Sequence, residues 1–226
     1  MNKVYKISIF VREGSFMLLT VTLFFIFFSI VGMKIGIFGG SFNPIHFGHL
    51  RLAEWIVTSG YVDTVWLMVS PQNPLKQQGD LMPENLRYHL AKLACETIDG
   101  VEACDFEFQL ERPNFTWRTL ECLRKAYPEH EFSLIIGEDN WNIFDKWACY
   151  ETILTTTDIL VYPRGNEATS EQQKLFPAAK GVHFMQGAPL FPFSSTEVRA
   201  RLKRGEQVCD MVPIVVVDRL KGDYFK

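Results

Sequence analysis

The sequence predicts an α/β fold with a doubly wound parallel sheet, and three observations support this. Short apolar runs alternate with amphipathic segments along most of the 226 residues, as when each strand is followed by a helix. A glycine-rich turn joins the first of these strands to the first helix, which is where α/β proteins bind ligands. The composition, 47% hydrophobic and 22% charged, suffices for one domain with a full core.

The strands are predicted from short apolar runs that are bounded by turns. Ile35–Phe38 is the first such run, and the second, from Thr64 to Val69, ends at the turn of Ser70 and Pro71. The predicted strands span residues 34–38, 64–69, 101–108, 132–136, 159–162 and 182–185.

The helices are predicted from apolar spacing and from residues that begin or end a helix. Pro83 suits a helix start, Pro128 ends a helix and Gly205 closes another. The last segment is assigned to a helix despite its run of valines. The predicted helices span residues 46–59, 83–98, 116–127, 194–203 and 213–220.

The turn from Gly39 to His49 has the composition of an anion-binding site. Gly39 and Gly40 let a ligand approach the backbone, and a helix N-terminus favours negative charge. Pro44 suits the first helical position. His46 and His49 are three residues apart, so both imidazoles can face one opening and donate to a polyphosphate. The alternative is a tight turn with a surface histidine. Metal binding by the pair is not favoured, because no third ligand lies nearby in sequence.

The pattern Gly-x-Phe-x-Pro-x-His-x-Gly-His in residues 40–49 resembles the signature of the nucleotidyltransferase superfamily with the His-x-Gly-His motif. It resembles the nicotinate-nucleotide adenylyltransferases most, from about Met33 to the C-terminus. Many members carry Asp where this chain has Asn43, which keeps a polar turn residue. The resemblance implies a Rossmann-like fold of the nucleotidyltransferase type and a cytoplasmic enzyme. It also implies adenylyl transfer from ATP, accompanied by Mg²⁺, to nicotinate mononucleotide.

A second motif, residues 194–199, resembles the other signature of this family, S-S-T-x-[IV]-R. In purely structural terms it is a capping box, in which Ser194 caps a helix and Glu197 reaches back. The resemblance adds a phosphate clamp made of Ser195, Thr196 and Arg199. It assigns the catalytic roles to His46, His49 and Arg199. The implied ATP-binding residues are Gly39, Gly40, Ser41, Phe42, His46, His49, Gly137, Asp139, Ser195, Thr196 and Arg199.

Asp139 follows a predicted strand within a segment that resembles the family's I-[IV]-G-x-D. A carboxylate at a strand end suits the hydroxyls of a ribose, and a helix N-cap is the alternative role.

The resemblance assigns Lys76, Thr116 and Trp147 to the mononucleotide. The family's P-P-H-K segment matches residues 71–76, although Leu75 stands where the histidine would be. Thr116 begins a helix whose N–H groups suit a carboxylate, and an ordinary N-cap is the alternative. Trp147 would stack on the pyridine ring, and a half-buried packing role is its alternative.

Charge and cysteine usage exclude other classes of protein. A net charge of −3 argues against nucleic acid as the main partner. Five widely spaced cysteines without a C-x-x-C pair indicate reduced thiols in a cytosolic protein rather than a disulfide framework or a zinc site. A class I aminoacyl-tRNA synthetase would need a K-M-S-K-S-like loop, which the sequence lacks. The open alternatives are an adenylyltransferase for nicotinamide mononucleotide or phosphopantetheine, and a membrane-tethered nucleotide sensor. A homo-oligomer is also left open.

Residues 1–32 differ from the rest of the chain, because residues 16–31 form an uninterrupted run without a charged side chain. The run resembles a signal-peptide core or a short membrane helix, although it is short for a span and adjoins the first strand. Family members typically begin with a methionine directly before this strand. We therefore expect residues 1–32 to be a start-site artefact, with translation beginning at Met33 and the nucleotidyltransferase domain at 33–226. A membrane anchor and a cleaved signal are the alternatives.

Overall fold

The computed structural model describes residues 32–71, 81–164 and 181–223, and all of these from Met33 onward belong to one compact unit, Met33–Lys226. In these ranges six strands form one parallel sheet in the order β3-β2-β1-β4-β5-β6. The strands are β1 (Lys34–Gly40), β2 (Thr64–Val69), β3 (Val101–Cys104), β4 (Glu131–Gly137), β5 (Asp158–Tyr162) and β6 (Val182–Phe184).

Helices connect the strands, as the alternating pattern predicts. They are α1 (Phe47–Thr58), α2 (Glu84–Cys95), α3 (Thr116–Ala126), α4 (Glu138–Trp141), α5 (Tyr150–Thr156), α6 (Ser195–Lys203) and α7 (Ile214–Asp223). Two 3₁₀ helices, Phe106–Gln109 and Phe144–Lys146, precede α3 and α5.

The two faces of the sheet bury separate apolar cores. Along β1, Ile35 and Ile37 belong to one core and Phe38 to the other, because successive side chains of a strand point to opposite faces. The Phe38 core contains buried residues of α1, α2, α6 and α7, and the Ile37 core contains those of α3 and α5. Helices therefore cover both faces, which confirms the doubly wound α/β fold.

The first strand lies at the centre of the sheet, between β2 and β4. The chain runs outward from β1 to β3 and then returns to β4 on the other side, so the strand order reverses between β1 and β4. A crevice forms at the carboxyl ends of the strands at such a point, and ligands of α/β proteins bind there. The glycine-rich turn after β1 lies at that edge.

Three local predictions are corrected, and a helix was missed. The predicted strand 101–108 ends at Cys104, and a 3₁₀ helix follows in which side chains no longer alternate. Helix α5 was not predicted, because its polar threonine-rich sequence has no clear apolar spacing. Pro44 does not begin α1, which starts three residues later at Phe47. Glu197 does not reach back to complete a capping box, because its carboxylate accepts from Arg201 Nε at 3.2 Å.

Within residues 32–71, 81–164 and 181–223, no helix has both the length and the apolar character needed to cross a membrane. The predictions about Lys76 and about residues 1–31 fall outside the described ranges.

Candidate active site

A cleft of about 740 Å³ opens at the carboxyl ends of β1 and β4. Every predicted site residue in the described ranges lines it, although they come from widely separated parts of the chain. They are Gly39, Gly40, Ser41, Phe42, His46, His49, Thr116, Gly137, Asp139, Trp147, Ser195, Thr196 and Arg199. We call the part formed by His46, His49, Ser195 and Arg199 the histidine side, and the part formed by Thr116, Asp139 and Trp147 the tryptophan side.

The two histidines of the first motif lie together on the histidine side. Their rings stack with centroids 3.6 Å apart and planes at 24°. The N–H of His46 donates to His49 Nδ1 at 3.3 Å, which fixes the second ring. A Cβ at Gly48 would lie 3.0 Å from two atoms of the His46 ring, so only glycine fits between the histidines without displacing that ring.

Burial sets the protonation of His46. The side chain is 5% exposed, and desolvation, followed by the nearby positive charge of Arg164, lowers the pKa of its imidazole to about 4. Nδ1 has no hydrogen-bond partner within the described part of the chain. The ring is therefore neutral at pH 7 and can donate through one nitrogen without carrying a charge.

Helix α6 is fastened to the first turn at its N-terminus. Ser194 Oγ accepts from the N–H of Glu197 at 3.1 Å, which confirms the predicted cap. Ser195 Oγ donates to the carbonyl of Pro44 at 2.9 Å, and Arg199 Nη1 donates to the carbonyl of Asn43 at 2.8 Å. Two motifs about 150 residues apart in sequence thus form one site. Free N–H groups of a helix N-terminus, the Thr196 hydroxyl and a guanidinium line the cleft there, a set that suits an anion.

Asn43 connects this turn to the loop before α2. Its Oδ1 accepts from the N–H of Met82 at 3.0 Å, and the side chain is 5% exposed. An aspartate carboxylate at this position could accept the same bond.

The tryptophan side is more open. Trp147 is half-buried and packs on Phe144, with ring centroids 5.2 Å apart, while the same side chain lines the cleft. Trp147 can therefore pack on Phe144 and still be available to a ligand. Thr116 is the first residue of α3, and the preceding N-cap residue, Phe115, makes no side-chain cap bond. The N-cap role considered for Thr116 is therefore wrong, and α3 begins beside the cleft without a side-chain cap.

Asp139 pairs with an arginine that is not among the predicted site residues. Arg164 Nε lies 3.3 Å from Asp139 Oδ1, with both side chains about half exposed, and Arg164 Nη2 donates to the hydroxyl of Tyr162 at 2.9 Å. A Cβ at Gly137 would meet Asp139 and lie 2.8 Å from Arg164 Nε. The absence of a side chain at Gly137 therefore leaves room for the Asp139–Arg164 ion pair at the end of β4. Asp139 does not cap α4, because Gly137 occupies that position.

Sequence reasoning missed two buried ionisable residues: Glu107, which lines the cleft, and Arg87, which contacts the turn after β1. Glu107 Oε1 accepts from Thr119 Oγ1 at 2.9 Å, and its carbonyl accepts from Asn114 Nδ2 at 3.1 Å, so it holds the chain on both sides of Thr116. Burial raises the pKa of its carboxyl. No pattern marks Glu107, but Arg87 stands three, four and seven residues before buried Leu90, Ala91 and Ala94, on the apolar face of α2.

The fold and the two joined motifs define a class of protein. The model of the cytidylyltransferase-like family matches residues 37–201, which include both motifs. The chain therefore belongs to the cytidylyltransferase-like family.

Within that class its relatives carry a more particular name. The "Probable nicotinate-nucleotide adenylyltransferase" of Bacteroides fragilis is 46% identical over 175 residues, 77% of this chain and 85% of the relative. The protein of the same name from Flavobacterium psychrophilum is 41% identical over 181 residues, 80% and 92% of the two chains. Similarity of this extent places the chain in the nicotinate-nucleotide adenylyltransferase family.

A solved structure shares the fold. It is described as "Plasmodium falciparum nicotinic acid mononucleotide adenylyltransferase complexed with NaAD", and it aligns with a TM-score of 0.68 at 16% identity. The alignment covers 84% of this chain and 95% of that one, which confirms the architecture over nearly the whole domain.

Proposed function

We propose that this chain transfers the adenylyl group of ATP to nicotinate mononucleotide, giving nicotinate adenine dinucleotide and pyrophosphate. The observation that carries the proposal is the joining of the stacked pair His46 and His49 to the N-terminus of α6 through Ser195 and Arg199. These groups would form an anion site at the switch point of the sheet. The family of the chain and the names of its relatives agree with this chemistry.

The reaction needs positioning and charge stabilisation more than proton transfer. The phosphate of the mononucleotide is already anionic, so one of its oxygens attacks the α-phosphorus of ATP without a general base. The new P–O bond forms as the bond to the bridging oxygen breaks, and that oxygen leaves with pyrophosphate. Such transfers are catalysed mainly by in-line placement and by donors aimed at the developing charge.

The residues divide these tasks. His46 and His49 would donate to the α- and β-phosphate oxygens. The main-chain N–H groups of Ser195 and Thr196, together with the Thr196 hydroxyl and Arg199, would hold the departing β- and γ-phosphates, since the Ser195 hydroxyl already donates to Pro44. Within the described residues Arg199 gives one donor to Asn43, so most of its five N–H groups remain for a ligand. A bound polyphosphate would also raise the pKa of His46, because negative charge favours the imidazolium.

Mg²⁺ enters this scheme with ATP, as part of the substrate. Mg²⁺ keeps several waters and binds mostly through phosphate oxygens and one or two carboxylates. The side chains on the histidine side include imidazole and guanidinium N–H donors, which suit phosphate oxygens better than a resident cation.

The tryptophan side would receive the mononucleotide. The N–H groups at the start of α3, beside Thr116, suit the pyridine carboxylate, and the face of Trp147 suits the ring. Asp139 suits ribose hydroxyls. Lys76 stays a predicted phosphate contact.

We infer a cytoplasmic enzyme, because ATP is its substrate and because all five cysteines are free thiols, which persist in reducing compartments.

Pyrophosphate release tests the proposal. With ATP and Mg²⁺, we expect the rate with nicotinate mononucleotide to be at least tenfold higher than with nicotinamide mononucleotide. Tenfold corresponds to about 1.4 kcal/mol, which charge-assisted hydrogen bonds to a carboxylate can supply. Equal rates with the two mononucleotides would overturn the choice of substrate. Faster release with phosphopantetheine would make phosphopantetheine the acceptor instead. No pyrophosphate release with any acceptor would overturn the reaction class.

A further inference from the structure

Arg87 is fully buried beneath the first turn. Its side chain is 0% exposed and is the largest fully buried side chain of the described residues. A buried guanidinium is costly unless its donors are satisfied, so its position needs a reason beyond packing.

The partners of Arg87 are four main-chain carbonyls. Nη1 donates to Ser41 at 2.6 Å and to Ser70 at 2.9 Å, Nη2 to Pro71 at 3.0 Å, and Nε to Met82 at 2.9 Å. These carbonyls belong to the turn after β1, to the start of the loop after β2 and to the approach to α2. One side chain therefore joins three segments at the edge of the cleft.

The charge of Arg87 is retained. Desolvation lowers the pKa of its guanidinium to about 10, with an opposing effect of Glu84, so the group stays protonated at pH 7. Glu84 itself pairs with Arg112 at 2.7 Å. In the described part of the chain the guanidinium is matched by carbonyl dipoles instead of a carboxylate, so a net positive charge remains behind the turn.

The bond to Ser41 also orients the next peptide group. In a trans peptide the N–H points opposite to the C=O, so the Ser41 carbonyl that faces Arg87 turns the N–H of Phe42 the other way. Phe42 has φ of 42°, a left-handed value that is rare for a bulky residue and persists only where the surroundings hold it. Its ring is buried and contacts His49, with centroids 4.9 Å apart.

We propose that Arg87 is a positioning residue for the polyphosphate: it holds the Ser41–Phe42 peptide with its N–H toward the cleft and supplies positive charge behind it. The inference rests on the proposed function, because it assigns this turn to ATP. If this is correct, loss of the four hydrogen bonds to main-chain carbonyls weakens the binding of ATP. Binding of the mononucleotide stays nearly unchanged, because the mononucleotide uses the tryptophan side.

The Arg87→Lys variant tests this, because lysine keeps the charge but cannot span four carbonyls with one nitrogen. Arg124→Lys is the matched control, since Arg124 is also a helix arginine and donates to Thr157 Oγ1 at 3.0 Å away from the cleft. Calorimetry would measure binding of α,β-methylene ATP and, separately, of nicotinate mononucleotide. We expect at least tenfold weaker binding of the ATP analogue to Arg87→Lys, mononucleotide affinity within threefold of wild type, and no change in the control.

Equal weakening for both ligands would show a general structural role, and unchanged binding of the analogue would show no role; either overturns the proposal. If the variant does not fold, the wild-type protein still decides. The amide NMR signal of Phe42 should shift on addition of the analogue and not on addition of the mononucleotide, and an unshifted signal would overturn the proposal. Both tests measure the response to the ATP analogue and do not depend on turnover. If the wild-type protein binds the analogue but does not adenylate nicotinate mononucleotide, the proposed function is refuted while the inference about Arg87 still stands.

Discussion

The two sides of the cleft are built differently. On the histidine side, His46 is buried and the turn is joined to α6 by two hydrogen bonds, from Ser195 and from Arg199. On the tryptophan side, Asp139 and Arg164 form a pair that is about half exposed, and Trp147 is half-buried. Donors that hydrogen bonds hold in place stabilise charge that develops in a transition state, whereas an aromatic face binds the ground state and the transition state alike. Substitutions should therefore lower kcat on the histidine side and raise KM on the tryptophan side.

The largest effect is expected from His49→Ala. Loss of one donor to a developing oxyanion typically costs about 3 kcal/mol, so kcat should fall about 100-fold with little change in the KM for mononucleotide. Steady-state pyrophosphate release would measure both, with the exposed His89→Ala on α2 as the control. If kcat stays within threefold of wild type, His49 has only a structural role.

Arg199→Ala should follow, with kcat lowered about 10- to 100-fold, because a charged donor to the leaving pyrophosphate is lost. The matched control is Arg201→Ala on the same helix, whose guanidinium pairs with Glu197 and Asp210 on the surface. Such surface pairs contribute about 0–1 kcal/mol to stability and nothing to the cleft. Equal loss of activity in the two variants would remove Arg199 from the phosphate site.

Trp147→Ala should reverse the pattern. Stacking on the pyridine ring is present in the ground and transition states alike, so the KM for mononucleotide should rise about 5- to 100-fold, equivalent to about 1–3 kcal/mol, with kcat within threefold. Trp147→Phe keeps an aromatic face and should restore most of the affinity. An unchanged KM in the alanine variant would leave Trp147 with its packing role against Phe144 alone.

The histidine side should also make stability depend on pH. His46 has its pKa lowered to about 4 in the fold, against 6.5 when unfolded. Between these values the unfolded state binds the additional proton, so stability is full above pH 6.5 and falls as the pH drops toward 4. The loss amounts to about 3 kcal/mol at most. Urea unfolding of wild type and His46→Asn at pH 7.5 and 4.5 would measure it; an equal pH dependence in both proteins would contradict the shift.

The smallest effect is expected from a chain shortened to begin at Met33. Strand β1 starts at Lys34. The carbonyl of Met33 already accepts the hydrogen bond from the N–H of Glu131, at 2.9 Å, so β1 and β4 are paired from Met33 onward. We expect the shortened chain to fold and to release pyrophosphate at the rate of the full chain. A melting temperature several degrees lower would show that the preceding residues contribute to this domain.

The sequence predicted the sheet, because apolar runs, helix stops and a glycine-rich turn are local signals. That the two motifs serve one site was implied by the family resemblance, and the contacts of Ser195 and Arg199 with the first turn bring them together. Five strands and α1, α2, α3, α6 and α7 were found within a few residues. Helices α4 and α5 and the 3₁₀ helices at 106–109 and 144–146 were not, because packing of Phe106, Trp141, Phe144 and Leu154 into the core decides them. Arg87 and Glu107 escaped notice for the same reason: their partners are main-chain carbonyls and a threonine that only the tertiary fold brings near.

A crystal structure of the complex with α,β-methylene ATP and nicotinate mononucleotide tests the division of the cleft most directly. We expect the triphosphate to lie between the stacked imidazoles of His46 and His49 and the N-terminus of α6, with Arg199 in contact with its β- or γ-phosphate. The pyridine ring should stack on Trp147. A triphosphate bound on the tryptophan side, or phosphates out of reach of both histidines, would contradict the account.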